Sequence, residues 1–271
     1  MRRLPSLFLS HGSPMMALEP SPARDFLAGL GIRLPRPRAI LAVSAHHDAA
    51  QEGGSATVTA SPRPPTIHDF GGFPDALFAM RYPAPGDPAL ARRIAERLAA
   101  HGLAVTVDAE RGLDHGAWVP LSLLYPDADI PVVQLSIASH APPEWHYALG
   151  QALAPLRDDG VLIVGSGSIT HNLRAYFSAR PPIDAPAAPW VTAFTDWIAD
   201  RMAANAVDDL LHAVERAPHG RDNHPTPDHI LPLFVAMGAG TDADGLHARR
   251  LHDSVTYAVL AMDAYAFGAE Q

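Results

Sequence analysis

Short, continuous apolar segments that run into a histidine constrain the fold of this chain more than any other feature. The first, residues 7–10, leads directly into His11, and the second, residues 39–45, leads directly into His46. A third, residues 161–164, is followed by a loop that reaches His171. A segment of this kind, bounded by polar residues and a turn, is typical of a buried strand. The sequence therefore predicts strands that deliver imidazoles to an edge of a sheet.

Predicted strands alternate with amphipathic helices along the rest of the chain. Asp87 and Pro88 form a typical helix start, and Gly102 ends that helix. Such alternation predicts an α/β fold: a three-layer single domain over residues 1–271, with a central mixed, largely parallel sheet flanked by helices. The other predicted helices cover residues 21–30, 119–124, 143–156, 189–203, 207–214 and 227–237. The other predicted strands cover residues 56–59, 103–107 and 130–137, and the first of these lies within a long predicted loop, residues 49–74. Residues 251–266 suit either a strand or a helix.

Composition narrows the class of protein. The 271 residues suffice for one large domain, and 48% of them are hydrophobic, which supports a substantial core. No apolar run approaches the roughly 20 residues of a membrane-spanning helix, and the segment after Arg2 and Arg3 is too short for a signal peptide. A net charge of -9 opposes nucleic-acid binding, which needs a basic face. We expect a cytoplasmic protein that binds neither membranes nor nucleic acids.

The residue types available for chemistry point to a metal. Cysteine is absent, which excludes thiolate ligands, whereas the chain has 15 histidines. In open α/β sheets, ligands bind beyond the carboxyl ends of the strands, where His11 and His46 are both expected. If their strands are parallel neighbours, the two imidazoles can share one metal ion. A single histidine at a strand end is more often structural, so the hypothesis depends on the whole set.

Residues 224–229, with the sequence His-Pro-Thr-Pro-Asp-His, supply a third element of the predicted site. Pro227 is a suitable first residue for a helix, which would place Asp228 and His229 in the first turn. A neutral imidazole there resists protonation because the helix dipole is positive at that end. The competing interpretation is a polar helix cap at the surface.

Other candidates lie near glycines and aromatic residues. His68 precedes Phe70 and Phe73, which could wall a flat substrate, and His115 precedes Gly116. Competing motifs are weaker: the Gly-Ser-Gly-Ser at 165–168 lacks the spacing of a hydrolase elbow, and there is no phosphate loop and no His-Glu-x-x-His.

Taken together, the motifs resemble those of the 4,5-DOPA extradiol dioxygenase family, which belongs to the class III, LigB-like extradiol ring-cleavage dioxygenases. They run in order along most of the chain: Leu9-Ser10-His11-Gly12-Ser13-Pro14, Ser44-Ala45-His46, Thr66-Ile67-His68-Asp69-Phe70-Gly71-Gly72-Phe73-Pro74, Tyr82-Pro83-Ala84-Pro85-Gly86, Asp114-His115-Gly116-Ala117-Trp118, Tyr125-Pro126-Asp127-Ala128-Asp129-Ile130-Pro131 and Pro225-Thr226-Pro227-Asp228-His229-Ile230-Leu231-Pro232-Leu233.

The resemblance implies a LigB-like α/β domain with a mononuclear non-haem Fe(II), for which Zn(II) is often substituted in purified protein. It implies that both atoms of O2 are inserted into a catechol, a small aromatic diol such as DOPA. The residues that match the family's metal ligands are His11, His46 and His229. His171 matches a family histidine that is either a further metal ligand or the acid/base. His115 matches another family histidine, which contacts substrate or oxygen. The substrate-binding candidates are Ser13, His68, Phe70, Phe73 and Trp118.

Two departures from the family pattern affect the expected site. The family usually has tryptophan where this chain has His47, so His47 could alter the pocket or compete for the metal. Most extradiol enzymes use two histidines and one carboxylate, so either His229 or Asp228 could be the third ligand. We favour His229, because the family motif has its histidine at that position.

Two other functions are compatible with these residues. One is a zinc-dependent hydrolase, in which a metal-bound hydroxide attacks an ester or amide. The other is a non-catalytic metal-binding relative with the same fold. The sequence does not indicate which catechol is the substrate or what the oligomeric state is.

Overall fold

The computed structural model describes residues 3–49 and 56–268. Its helices are α1 (Pro22–Arg33), α2 (Asp75–Ala79), α3 (Pro88–Ala100), α4 (His115–Leu124), α5 (Pro143–Leu153), α6 (Leu173–Ala179), α7 (Pro189–Ala203), α8 (Val207–Leu211), α9 (Ala213–Arg216), α10 (Gly220–Asn223) and α11 (Leu231–Gly240), with 3-10 turns at Pro14–Ala17 and Ala154–Arg157. Within the described residues, none of these helices has the length and apolar character needed to cross a membrane.

The strands are β1 (Ser6–Ser10), β2 (Ala39–Asp48), β3 (Ala56–Thr59), β4 (Val105–Asp108), β5 (Val132–Ile137), β6 (Val161–Gly167), β7 (Thr241–Asp242), β8 (Gly245–Leu246), β9 (Ala248–His252), β10 (Val255–Thr256), β11 (Leu260–Ala261) and β12 (Ala264–Phe267). Among the described residues, eight of them form one sheet in the order β4-β3-β5-β2-β6-β1-β12-β9. The strands β5, β2, β6 and β1 are mutually parallel, whereas β3 against β5, β12 against β1 and β9 against β12 are antiparallel. The sheet is therefore mixed with a parallel centre, as the sequence predicts.

The arrangement of the two histidine-bearing strands differs from the simplest expectation. Strands β1 and β2 are parallel, but β6 lies between them. Because all three strands run the same way, their carboxyl ends still lie at one edge of the sheet. His11, His46 and the loop after β6 therefore share that edge without β1 and β2 being direct neighbours.

Each face of the sheet supports its own apolar layer. Along β2, Leu41 and Val43 belong to one buried cluster, while Ile40 and Ala42 belong to the other. This follows from the strand period of two, which sends successive side chains to opposite faces. Helices α3, α5, α7 and α11 cover the first face, and α1 and α4 cover the second. The result is the three-layer arrangement that continuously apolar strands require.

Several predicted boundaries shift for local reasons. The predicted helix at 119–124 begins earlier, at His115, because the Asp114 carboxylate caps it by accepting from the Ala117 N–H. The predicted helix at 207–214 is two short helices separated at His212. Residues 251–266 contain parts of β9 and β12 together with β10 and β11. Of the predicted loop 49–74, residues 50–55 lie outside the described residues.

The prediction that a helix starts at Pro227 is wrong. Residues 225–230 form turns, and α11 begins at Leu231 with Pro232 in its first turn. Asp228 and His229 therefore precede the helix rather than occupy its first turn. The segment is held in place by long-range contacts, since the Ser168 N–H donates to the His229 carbonyl at 2.8 Å.

Candidate metal centre

His11 follows β1 directly, at the carboxyl edge of the sheet. Its Nδ1 lies 3.0 Å from the Ser166 hydroxyl oxygen on β6. That hydroxyl donates to the Gly116 carbonyl, which lacks its usual helical partner because Pro120, four residues on, has no N–H. Ser166 must therefore accept from His11, so Nδ1 carries the proton and Nε2 presents its lone pair.

His229 is oriented in the same way by a carboxylate. Its Nδ1–H donates to Asp228, which leaves the lone pair on Nε2. Burial raises the pKa of Asp228, but the hydrogen bond from His229 outweighs burial, and the pKa lies well below its ordinary value. The Asp228 carboxylate is therefore ionised and fixes the tautomer of the neighbouring imidazole.

His46, near the end of β2, brings the three imidazoles together. Its Nε2 lies 3.0 Å from Nε2 of His11 and 3.3 Å from Nε2 of His229. Histidine nitrogens bind zinc-like ions at about 2.0–2.1 Å, so ligands at right-angled to tetrahedral positions lie about 2.8–3.4 Å apart. The donor set therefore suits one metal ion on three nitrogens.

The protonation state of this cluster also suits metal binding. Burial, followed by the neighbouring histidines, lowers the pKa of both His11 and His46 well below the ordinary value. Both imidazoles are therefore neutral near pH 7, which is the form that binds metals.

His171 and His115 flank the three histidines on different sides. The His171 ring stacks on His229, with centroids 3.4 Å apart and planes 8° apart. Burial, followed by the neighbouring His229, lowers the pKa of His171 to about 3. The His115 ring centroid is 3.9 Å from that of His46. Potential donor atoms of His11, His46 and His115 all lie within 4.8 Å of one another, as do those of His171, Asp228 and His229.

Asp69 orients His115. Its Oδ1 accepts from the His115 N–H at 2.9 Å, and its Oδ2 lies 3.0 Å from Nδ1 of the same residue. Burial raises the pKa of Asp69, but hydrogen bonds from His115 outweigh it and the pKa lies below its ordinary value. The carboxylate thus remains charged and directs Nε2 of His115 away from itself.

The first turn of α4 ties these residues to the sheet. The buried Asp114 carboxylate accepts from the Ser44 hydroxyl at 2.6 Å as well as from the helix N–H. A Cβ at Gly116 would lie 2.4 Å from Ser44 Oγ and 3.0 Å from Cδ2 of His46. The backbone of α4 can approach β2 this closely only because residue 116 is glycine.

A cavity of about 430 Å³ opens beside the histidines, within the usual range of about 300–1,000 Å³ for small-molecule sites. Of the predicted substrate-binding residues, Ser13, Phe70 and Phe73 line it. Trp118 is fully buried and donates to the Ile67 carbonyl, and His68 lies 3.1 Å from the Met80 carbonyl. The rings of His68 and Trp118 pack against Phe70, so these two residues support the wall and are not among the lining residues.

His47 does not join the cluster. It is fully buried, and the charged groups that affect it are Arg111 and Asp108. Burial, followed by Arg111, lowers its pKa to about 3. The strand period of two explains why His46 and His47 face different surroundings.

Several residues of the site were not singled out from the sequence. Asp69 and Asp114 stand next to predicted histidines or aromatic residues, and an acidic residue just before a helix is a recognisable capping signal. Ser166 gives no such signal, because its role depends on a carbonyl that Pro120 leaves without a partner. The cavity residues Leu173, Tyr176 and Tyr257 come from segments with no motif.

The fold and the cluster define a class: an α/β protein with three convergent imidazoles at the carboxyl edge of its sheet, beside an aromatic cavity. Within that class the family is clear. The family model for the catalytic LigB subunit of aromatic ring-opening dioxygenase matches residues 5–268, and the chain belongs to this family.

Named relatives cover nearly the whole chain. The chain is 43% identical over 266 residues to the 4,5-DOPA dioxygenase extradiol of Beta vulgaris. That alignment covers 97% of this chain and 96% of the relative. It is 46% identical over 240 residues to the 4,5-DOPA dioxygenase extradiol of Escherichia coli K12, with 88% and 85% covered. The crystal structure of an uncharacterized protein from Escherichia coli K12 is similar with a TM-score of 0.76 and 36% identity, over 98% of this chain and 100% of that one.

Proposed function

We propose that the protein is a non-haem Fe(II)-dependent extradiol dioxygenase that inserts both atoms of O2 into a catechol such as DOPA. The observation that carries the proposal is the convergence of three imidazole Nε2 atoms, on His11, His46 and His229, beside an aromatic cavity. Relatives named 4,5-DOPA dioxygenase extradiol, at 43% and 46% identity, support the reaction and the substrate type.

The three Nε2 atoms are the proposed metal ligands. Asp228 is the less suitable ligand, because its carboxylate already accepts the Nδ1–H of His229. Fe(II) held by these three residues would supply a Lewis-acidic, redox-active centre for a catechol and O2. Zn(II) accepts the same nitrogen ligands and would compete for the site.

His171 is the proposed acid/base. Its lowered pKa makes it neutral at pH 7, so it can accept a proton from a catechol hydroxyl and return it later. Stacking on His229 fixes its ring beside the proposed metal ligands. His115, oriented by Asp69, is proposed to hydrogen-bond to substrate or oxygen through its other nitrogen.

The cavity walls position the aromatic ring. Phe70 and Phe73 offer flat apolar surfaces, and their own rings meet edge to face at 5.4 Å. The hydroxyl of Ser13 also lines the cavity and already accepts from the Met15 N–H at 3.2 Å. Its proton is thus available to a substrate oxygen. These groups would orient a catechol and exclude bulk water from it.

The test combines metal analysis with oxygen uptake. After anaerobic reconstitution with Fe(II), catechols should consume one O2 per ring opened and give a yellow extradiol product. His11→Ala, His46→Ala and His229→Ala should lose metal, whereas His171→Ala should retain metal but lose turnover by about 10²–10⁴-fold.

Other outcomes would contradict the proposal. An intradiol product, or no product across a panel of catechols, would exclude the reaction. Ester or amide hydrolysis with Zn(II) and without O2 would favour the hydrolase instead. Stoichiometric metal in the triple alanine variant would show that the ligands lie elsewhere.

A further inference from the structure

Two groups of aromatic rings line the cavity beside the histidines. Phe70 and Phe73 form the first group, and Phe70 also meets the ring of His115, with centroids 5.6 Å apart. Tyr176 and Tyr257 form the second group, with centroids 5.2 Å apart. Within the described residues, the ring of Tyr257 packs against Tyr176 and not against a histidine of the cluster. Tyr257 therefore belongs to a part of the wall that does not touch the proposed metal ligands.

Tyr257 lies at the tip of the hairpin formed by β10 and β11, in an uncommon backbone conformation. Its φ is 53° and that of Ala258 is 60°, and both angles fall in the left-handed region that residues other than glycine rarely adopt. The Tyr257 N–H donates to the Ile183 carbonyl at 3.0 Å. The Ala258 carbonyl accepts from the Ala188 N–H at 2.9 Å. Residues in such conformations persist where their surroundings hold them, and they cluster at ligand sites.

A buried threonine ties this hairpin to the loop that carries His171. The Thr170 hydroxyl donates to the Val259 carbonyl at 2.8 Å and accepts from the Ala261 N–H at 2.7 Å. Thr170 directly precedes His171 in the sequence. The tip of the hairpin and the proposed acid/base are therefore held by the same framework, so Tyr257 keeps a defined position relative to the site.

The side chain of Tyr257 is held at its far end as well. Its hydroxyl donates to the Glu19 carboxylate at 3.0 Å. Burial, followed by the hydrogen bond and charge of Glu19, raises the pKa of Tyr257, so the phenol keeps its proton and remains the donor. The tyrosine ring is thus fixed at its backbone, at its contact with Tyr176 and at its hydroxyl.

A second, smaller cavity of about 20 Å³ adjoins Tyr257. Tyr257 and Ser13 line both cavities, whereas Met16, Glu19 and Met262 line only the smaller one. So small a space holds about one water molecule. Tyr257 therefore separates the cavity beside the histidines from this space, and a group that extends in this direction meets the tyrosine ring.

We propose, resting on the proposed function, that Tyr257 limits the length of the ring substituent on the catechol, and that Glu19 acts through it as a positioning residue. The two catechol hydroxyls are directed to the histidine cluster, so a substituent on the far side of the ring points away from the histidines. There it meets a wall that is fixed in place. The selectivity is one of size, set by a rigid aromatic ring.

Two uncharged catechols of different length, 4-methylcatechol and 4-butylcatechol, test this size limit. Dissociation constants are measured by anaerobic calorimetry on the Zn(II)-loaded protein, and kcat/KM by oxygen uptake on the Fe(II)-loaded protein. Each buried CH₂ group is worth about fourfold in affinity. Tyr257→Ala joins the two cavities and makes room for two or more further methylenes, so the ratio of butyl- to methylcatechol affinities should rise by at least about tenfold.

Tyr147→Ala is the matched control. Tyr147 is also a half-buried tyrosine with a bonded hydroxyl, which lies 2.8 Å from Thr241 Oγ1, but it stands on α5 and lines neither cavity. This variant should keep the ratio of the unmodified protein. Tyr257→Gly removes the same ring as Tyr257→Ala and suits a φ of 53°. It should show the same shift, and it replaces the alanine variant if that variant does not fold.

Two variants of Glu19 test its role as a positioning residue. Glu19→Ala removes the acceptor of the Tyr257 hydroxyl, which lets the ring turn aside, and should raise the ratio by about threefold. Glu19→Gln keeps an amide oxygen that accepts from the same hydroxyl, so it should restore the ratio of the unmodified protein. An unchanged ratio in Glu19→Ala would overturn the role of Glu19.

The readouts distinguish the size limit from the proposed reaction. A raised binding ratio in Tyr257→Ala, without ring opening by the unmodified protein, supports the size limit and refutes the dioxygenase. Ring opening together with equal ratios in Tyr257→Ala and Tyr147→Ala supports the dioxygenase and overturns the size limit. An equal rise in both of these variants also overturns it, because the shift would then arise from a general loosening of the protein and not from the cavity wall.

Discussion

Replacing Ser166 with alanine tests whether hydrogen bonds behind the histidines control metal binding. The Ser166 hydroxyl is buried, accepts from Nδ1 of His11 and donates to the Gly116 carbonyl. Ser166→Ala leaves both groups without this partner. The imidazole of His11 then loses the contact that fixes its tautomer, and Nε2 no longer presents its lone pair in every molecule.

The size of the effect follows from these contacts. Losing such a supporting partner typically weakens metal binding by about 10–100-fold, which is about 1.4–2.7 kcal/mol. The variant also leaves the Gly116 carbonyl buried and unpaired, because Pro120 cannot donate to it. Each unsatisfied buried group costs about 1–3 kcal/mol of unfolding free energy. Ser166→Ala should therefore be less stable as well as weaker in metal binding.

Ser6→Ala is the matched control. Ser6 is also a buried serine of a central strand, and it donates to the Ala236 carbonyl at 2.7 Å. It lies five residues before His11, about 16 Å along the strand direction. Zn(II) affinity by competition with a chromophoric chelator should fall in Ser166→Ala and stay unchanged in Ser6→Ala, while urea unfolding shows a loss in both. Equal Zn(II) affinity in Ser166→Ala and the unmodified protein would refute the tautomer argument.

Three further predictions concern other parts of the molecule. Gly116→Ala should destabilise the protein by about 1–3 kcal/mol and weaken Zn(II) binding, because the new Cβ would lie 2.4 Å from Ser44 Oγ and 3.0 Å from His46 Cδ2. Unchanged results in urea unfolding and in the chelator titration would contradict this prediction. Asp228→Asn should weaken Zn(II) binding about tenfold, measured in the same titration, because a neutral amide replaces the charged acceptor of His229. His146 is buried, accepts from the Ala138 N–H and has its pKa lowered by burial to about 4. Since the unfolded chain binds this proton first, the contribution of His146 to stability should fall as pH drops from about 6.5 to 4, by about 2 kcal/mol between pH 7 and 5. In urea unfolding, His146→Gln should therefore lose about 2 kcal/mol less than the unmodified protein over that range.

The sequence predicts well the features that depend on local pattern. Continuous apolar segments that end at His11 and His46 are strands because a buried strand in a parallel sheet is apolar on both faces. The Asp87-Pro88 pair starts α3 because the Asp87 carboxylate accepts from the Leu90 N–H at 2.9 Å. Local chemistry decides these elements, so their existence and type can be read from the residues alone.

Features that depend on long-range contacts are harder to predict. Pro227 and Pro232 are both suitable near a helix start, and local pattern cannot choose between them. The choice is made by the loop after β6, where the His224 ring meets the Ile169 carbonyl at 2.7 Å and Ser168 donates to the carbonyl of His229. These contacts hold residues 225–230 in turns and delay α11 to Leu231.

The proposed metal ligands also show the difference between local pattern and long-range contacts. The resemblance supplied His11, His46 and His229 as a set, but composition and spacing alone could not show that three distant segments meet. Strand β6 between β1 and β2 sets the distance that the imidazoles bridge. The cavity residues Leu173 and Tyr257 could not be found from sequence, because they reach the cavity only through tertiary packing.

The position of β1 inside the sheet has a consequence for folding. One edge of β1 pairs with β6 and the other with β12, so that Leu9 lies opposite Ala264. Before β12 forms, the apolar strand that leads into His11 has an unpaired edge, and such edges pair readily with other chains. Until residues 264–267 pair with β1, this edge of the strand is therefore open to pairing with another chain.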